Sequence, residues 1–384
     1  MSIALRNYKT WVEVSKKALL NNVEIVRRLL KPGVKLMAVV KSNAYGHGLL
    51  ETAKILGSGT TAQRHAPLSR SIWLGVDNID EAILLRISGI KSPILVMGYT
   101  PNERFKEAAR HDLRLTLYNK ISPGDYAKIK FHLKIDSGMS RQGVTLADLP
   151  RFIKTLPRGT NIEGVFTHFA NADNLQDRSY PDLQFNNFKK ALQILEESGI
   201  NPTIRHVSAT TGLLTMPEAQ FDMVRIGLAL YGLWPSAEFV KKFNPPTGGL
   251  GLEPTLSWKT RIAQIKKIKK NTPVGYGITE RVKKDSTIAV LPVGYYDGYD
   301  RGLSSIEEVL ISGRRCKVLG RISMNLMVVD VSDVNNPKVW DEVILIGTQG
   351  TEQITAEELA GKIGTIGYEV VSRINPLLPR VYLE

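Results

Sequence analysis

Eight short β-rich runs, separated by helical segments, constrain this chain more than any other feature. They lie at 36–41, 72–76, 94–98, 113–117, 131–135, 163–168, 203–208 and 222–226. A strand followed by a helix returns to the same sheet as a parallel neighbour, and eight such units close on themselves. The fold class expected is therefore α/β, a (β/α)8 TIM-like barrel. Between the runs, Leu19, Val23, Val26 and Leu30 keep helical spacing over 15–31, and Pro32-Gly33 stops that helix. Asn78 can cap the next helix, with Glu81 folding back on it as in a capping box. A helix over 182–198 ends at Gly199. Only 118–130 separate the fourth and fifth strands, so the helix there must be short, near 125–130. Residues 57–71 are polar and longer than the barrel requires, and read as an exposed loop.

The pattern changes after Asn244-Pro245-Pro246-Thr247-Gly248-Gly249. Beyond it, β-rich runs at 255–268, 287–292, 307–311, 316–320, 326–331 and 342–346 are divided by turn residues, with one helix over Thr355–Ile363. This reads as a mainly antiparallel β domain. The organisation expected is an opening strand in 1–14 that joins the β domain, a barrel over 15–245 and the β domain over 246–384. No run approaches the roughly 18 apolar residues of a membrane span, and no secretory leader is evident. The lone cysteine, Cys316, excludes an intramolecular disulfide, fits a reducing cytoplasm and is read as structural. The net charge of +14 could signal nucleic acid. Its densest cluster, Lys266-Lys267-Ile268-Lys269-Lys270, has no interleaved aromatics, so a solvated face, or a field attracting anionic substrates and cofactors, is preferred.

In barrel enzymes the carboxyl ends of the strands carry the active site. Here Lys41 closes the first strand and opens the glycine-punctuated Ser42-Asn43-Ala44-Tyr45-Gly46-His47-Gly48. A partly desolvated amine there can form a Schiff base. Lys134 and Asp136 end the fifth strand and lead to Arg141, His168 ends the sixth, His206 lies in the seventh, and Arg225 ends the eighth. Such a rim forms a cationic pocket suited to phosphate or carboxylate. The bland alternative is that Lys134 and Arg225 simply pair with Asp136 and Asp222.

The stretch Val39-Val40-Lys41-Ser42-Asn43-Ala44-Tyr45-Gly46-His47-Gly48 resembles the pyridoxal-phosphate lysine motif of alanine racemases, fold-type III enzymes. Further motifs resemble the family over nearly the whole chain: 132–141, 167–170, 224–227, 274–277, 292–295 and 367–370. The resemblance implies that Lys41 holds pyridoxal 5′-phosphate and acts as one base at the substrate Cα. Tyr276, reaching in from the partner of a homodimer, is implied as the other, bonded by His168. It implies Arg225 at the pyridine nitrogen with His206 behind it, and Arg141 at the phenolic oxygen and the substrate carboxylate. Lys134 is implied as a carbamylated lysine. Tyr45, Thr210, Gly227, Leu228 and Tyr368 are implied at the phosphate, and Met324 at the substrate carboxylate. Tyr295 and Tyr368 would form a gate favouring a small side chain. The activity implied is interconversion of L- and D-alanine in the cytoplasm, for peptidoglycan, without metal, nucleic acid or membrane. Ser323 and Asn325 stand where the family commonly has cysteine and aspartate, and a neutral Asn325 changes the charge near the carboxylate pocket; no asparagine precedes Thr210, which bears on its role at the phosphate. Serine also fits the gate and is an alternative substrate. A non-racemising pyridoxal-phosphate barrel protein remains the other alternative.

Overall fold

The structure, a computed structural model, describes residues 7–58, 72–122, 128–245 and 247–384. It divides into two compact units. One comprises Val23–Ala44 and the described residues of Leu49–Leu230; the other comprises the described residues through Asn22, Tyr45–Gly48 and those from Tyr231 to Glu384. The division at Tyr231 falls before the linker that composition suggested near 245.

The first unit holds the eight parallel barrel strands: β1 (Lys35–Val39), β2 (Ile72–Val76), β3 (Ile94–Val96), β4 (Arg114–Leu117), β5 (Lys130–Asp136), β6 (Asn161–Phe166), β7 (Ile204–His206) and β8 (Met223–Ile226). They pair in sequence order, and β8 pairs with β1 in parallel, Met223 opposite Lys35. Backbone bonds from Asp222 N–H to Arg205 O and from Arg225 N–H to Ser208 O, each 3.0 Å, bring β7 against β8 and nearly close the ring. The strands are apolar almost throughout because parallel strands are covered on both faces. Met37, Trp73, Leu95, Ile204 and Met223 pack together inside.

Helices follow the expected signals. One covers Lys16–Leu29 and another Ser179–Glu197. The helix Ile79–Ile87 is capped by the Asn78 side chain, which accepts from Glu81 N–H. The Glu81 carboxylate turns elsewhere, accepting from Asp77 N–H at 3.0 Å and Asn43 N–H at 3.3 Å. The short helix expected near 125–130 is not seen in its described part: Lys128 is in a turn and Lys130 already begins β5, while 125–127 lie outside the described residues. Of the loop expected over 57–71, Gly57 and Ser58 finish the helix Leu49–Ser58; 59–71 lie outside the described residues.

The second unit is a mainly antiparallel sheet. The expected run 255–268 breaks into Leu256–Arg261 and Gln264–Ile268, which pair with different strands. The opening strand Thr10–Ser15 pairs antiparallel with Leu256–Arg261 and parallel with Arg380–Leu383. Cys316 is buried in the strand Arg314–Leu319, and burial pushes its thiol up to about 12, an inert environment.

Candidate active site

Lys41 leaves β1 into a left-handed turn. Ser42, Asn43, Ala44 and Tyr45 all have φ between 52° and 56°, and Gly46 and Gly48 follow at 84° and 98°. Non-glycine residues reach that region at a cost of roughly 1–2 kcal/mol each, so something must hold them there. In the barrel unit, Ala44 N–H donates to Val40 O at 2.8 Å, and the Glu81 carboxylate takes Asn43 N–H. Asn43 Oδ1 in turn accepts from Leu49 N–H at 3.0 Å. The turn fixes where the lysine departs. The Lys41 side chain is 38% exposed, with Nζ 3.8 Å from Asp77 Oδ1, so the desolvation expected for this amine is only partial.

The deeply buried amine is Lys134. Burial, then the charges of Arg225 and Arg141, hold its pKa well below the usual lysine range. Its Nζ sits 4.3 Å from the Phe166 ring centroid, and among the described residues no carboxylate lies within ion-pair reach. Asp136 does not pair with it. Its Oδ1 accepts the N–H groups of Gly138, Met139 and Ser140 at 3.0, 2.9 and 3.1 Å, which shapes the loop leading to Arg141. Asp222 is likewise committed, to Arg205 at 2.7 Å. The bland pairing of Lys134 and Arg225 with these carboxylates is therefore absent.

Arg225, on β8, is 4% exposed and densely bonded. Nη1 donates to His206 Nδ1 at 2.9 Å and His206 O at 3.0 Å. Nη2 donates to Thr167 O, Val207 O and His168 Nδ1 at 2.8, 2.9 and 3.1 Å. Burial pulls the guanidinium down to about 9, so it keeps its proton at neutral pH. Its Nε–H takes no partner among the described residues.

His206 is buried beside this cation and His168 half-buried. Desolvation, then Arg225, holds both pKa values well below the usual histidine range. Both rings are neutral at pH 7, so the rim's positive charge comes from its lysines and arginines. An arginine can only donate, so each Nδ1 it meets must be an acceptor, and the ring proton sits on Nε2. Past β7, the Thr210 hydroxyl accepts at 3.3 Å from the N–H of Ala229, which follows Gly227 and Leu228 after β8.

The other unit carries the remaining expected residues. Tyr45 lies against Tyr231, ring centroids 5.1 Å apart, and burial, then Tyr368, raises its phenol to about 12. His47 stacks on Tyr231 at 4.3 Å. The Gly46 and His47 carbonyls accept from Arg380 Nε and the Tyr382 hydroxyl at 3.1 and 2.8 Å. Tyr276 is not packed in a strand: it stands in a 3₁₀ turn, Tyr276–Ile278, between the strands Pro273–Val274 and Glu280–Arg281, and is 70% exposed. Met324 and Tyr295 are exposed too, on segments tied together by Tyr295 N–H to Ser323 O and Tyr296 N–H to Met324 O, 3.1 and 2.9 Å. Sequence reasoning missed Asp77 as the partner of the Lys41 amine and Glu81 as a support of the lysine turn. Asp77 sits one residue past β2, on the same rim, and that position was the available signal.

A parallel eight-stranded barrel with two lysines, two arginines and neutral histidines on its carboxyl rim, joined in sequence to an antiparallel unit, defines a class of two-domain barrel enzymes. Family models for the alanine racemase N-terminal and C-terminal domains match residues 14–235 and 255–382. The chain is 39% identical to an alanine racemase of Methanococcus maripaludis, covering 98% of this chain and 100% of that protein. It is 40% identical to one of Symbiobacterium thermophilum, covering 97% of each. Among solved structures, the alanine racemase of Bacillus anthracis with bound L-Ala-P superposes with a TM-score of 0.88 at 37% identity, over 98% of this chain and 95% of that one. That of Streptomyces coelicolor superposes with a TM-score of 0.89 at 31% identity, over 99% and 100%. The chain belongs to the alanine racemase family and is an amino-acid racemase, an isomerase.

Proposed function

We propose that this chain interconverts L- and D-alanine using pyridoxal 5′-phosphate held on Lys41. In this reading it works in the cytoplasm as a homodimer, and its D-alanine serves peptidoglycan. Arg225 carries the reading. Its Nη groups are fully engaged, and the Nε–H is the donor left for a ring nitrogen. The half-buried Lys41 amine, the Thr210 hydroxyl beside Gly227 and Leu228, and the phenols of Tyr45 and Tyr368 fit the rest of the group. When bound, the cofactor withdraws electrons from the substrate Cα and makes its proton acidic.

The chain's own side chains direct that acidity toward racemisation. Arg225 can donate a hydrogen bond but not a proton, unlike a carboxylic acid, which disfavours competing reactions that need a protonated ring. Racemisation needs a base on each face of Cα. Lys41 serves one. Tyr276 of the partner subunit serves the other, and its exposure on a hairpin tip suits delivery to another chain. The Nε2–H of neutral His168 is free to donate to that phenolic oxygen and stabilise its anionic form. Arg141 and the Met324 N–H orient the substrate carboxylate, and Tyr295 with Tyr368 limits the side chain to a small one. Lys134, a buried amine whose proton is loosened by desolvation and by the charges of Arg225 and Arg141, is set up to add carbon dioxide; the carbamate formed, with loss of a proton, would face the arginines with opposite charge.

The test is chiral chromatography of alanine after incubation of the purified protein with L-alanine and pyridoxal 5′-phosphate. Both enantiomers should approach equal amounts, with serine and larger amino acids slower. Unchanged L-alanine would exclude the proposal, and faster turnover of serine would reassign the substrate. A mass increment of one carbon dioxide on the Lys134 peptide, lost in acid, tests the carbamate.

A further inference from the structure

His132 belongs to the motif at 132–141 but has no part in the chemistry above. It lies on β5 two residues before Lys134, so both point to the same side of the strand. His132 and His206 are each fully buried. Their rings meet with Nδ1 of His132 2.8 Å from Nε2 of His206. On its other side, His132 Nε2 lies 3.4 Å from Glu163 Oε2. Glu163 stands in β6 near the amino end of the barrel, where it also receives Arg114 Nε at 3.2 Å and Lys130 Nζ at 3.5 Å. Arg225, His206, His132 and Glu163 thus form one hydrogen-bonded line through the barrel interior, from the reactive rim toward the opposite end.

The ends of this line fix its direction. Arg225 can only donate, and an ionised carboxylate can only accept. Burial works to raise Glu163, but His132, Arg114 and Lys130 outweigh it and hold the carboxyl down to about 2. With Nδ1 of His206 accepting from Arg225, its proton must sit on Nε2 and point to His132 Nδ1. The His132 proton must then sit on Nε2 and point to Glu163. Every bond runs the same way and both rings stay neutral. The surroundings preserve this arrangement: Phe166 stacks on His206 with an interplanar angle of 6°, and a Cβ at Gly164 would come within 2.5 Å of His132 Nδ1.

We propose that Glu163 and His132 are positioning residues for the racemase reaction: through His206 they fix the one tautomer that lets Arg225 keep Nη1 engaged and present Nε–H to its ligand. Without an acceptor at 163, His132 can reverse, protonate Nδ1 and force His206 to protonate Nδ1 as well. That N–H would confront the Arg225 Nη1–H, donor against donor, and displace the guanidinium. The consequence for catalysis rests on the function proposed above; the tautomers do not.

The direct experiment is nitrogen NMR of the histidine-labelled protein, with the resonances of His132 and His206 assigned by substitution. In the unsubstituted protein both rings should show a protonated Nε2 and a bare Nδ1. A protonated Nδ1 on His206 there overturns the proposal without any variant, whether or not the protein racemises alanine. Glu163→Gln keeps an acceptor oxygen and should keep both tautomers, with kcat within about threefold of the parent. Glu163→Leu should reverse them in the folded protein and lower kcat roughly 10- to 100-fold, as misplaced groups one layer behind a site do. Unreversed tautomers in folded Glu163→Leu, or equal loss of kcat in both variants, would reduce Glu163 to a structural ion pair.

Discussion

Three histidines, His132, His168 and His206, stand in a barrel that also buries Arg225 and Lys134, and all three are held neutral chiefly by burial. The consequence appears in stability. Each of these rings has a folded pKa below the usual histidine value of 6.5, so below that pH the unfolded chain binds protons that the folded chain does not. Stability then falls as pH drops, and is retained above the unfolded value. Between its unfolded and its folded pKa each histidine contributes a slope of up to about 1.4 kcal/mol per pH unit. Urea unfolding followed at pH 7 and pH 5 should therefore show a marked fall in midpoint at the lower pH. A His168→Gln variant should lose part of that dependence; an unchanged dependence would mean that His168 is charged in the folded protein. The sequence placed His168 and His206 among the residues of a cationic rim, but did not show that their rings would be neutral there. Ring charge depends on how many atoms of the fold exclude water from it, and spacing along a chain carries no such information.

The element that most constrains the site is the left-handed turn after Lys41. Asn43 and the two glycines are suited to that conformation, while Ala44 and Tyr45 are not. The bonds from Val40 O and Glu81 to this turn offset the strain, and Gly46 has no room for a side chain, since a Cβ there would lie 2.1 Å from Val371 O. Gly46→Ala should destabilise the protein by roughly 2–3 kcal/mol, from overpacking and positive φ together. A thermal or urea midpoint within error of the parent would contradict this. The glycines were visible in the sequence as punctuation, and so was the cap at Asn78. That Glu81 would leave its capping role to hold Asn43 was not, because the two are 38 residues apart and meet only when β1 and β2 pair.

At the scale of the whole molecule, Tyr276, Ile278, Tyr295, Tyr296, Met324 and Leu326 are exposed large apolar residues of the second unit. A set of this kind suits an interface between chains. If Tyr276 acts in the partner's site, Lys41→Ala and Tyr276→Phe should each be nearly inactive alone. Coexpressed, they should recover racemase activity, because a mixed dimer carries one intact pair of bases. Failure to recover activity in mixed dimers isolated with two different tags would place both bases on one chain.

The alternation of apolar strands and amphipathic helices was enough to set the barrel, because each periodicity is local and each element must bury its own apolar face. The same local reading located Lys41, Lys134, Arg225 and the histidines at strand ends. Tertiary structure alone decided that the buried amine is Lys134 rather than Lys41, and that Tyr276 stands on an exposed turn. It also decided that Asp136 and Asp222 are spent elsewhere and that Glu163 is joined to Arg225 through two imidazoles. Those outcomes depend on distances between residues far apart in the chain and on the exclusion of water, which arise only once the strands have closed.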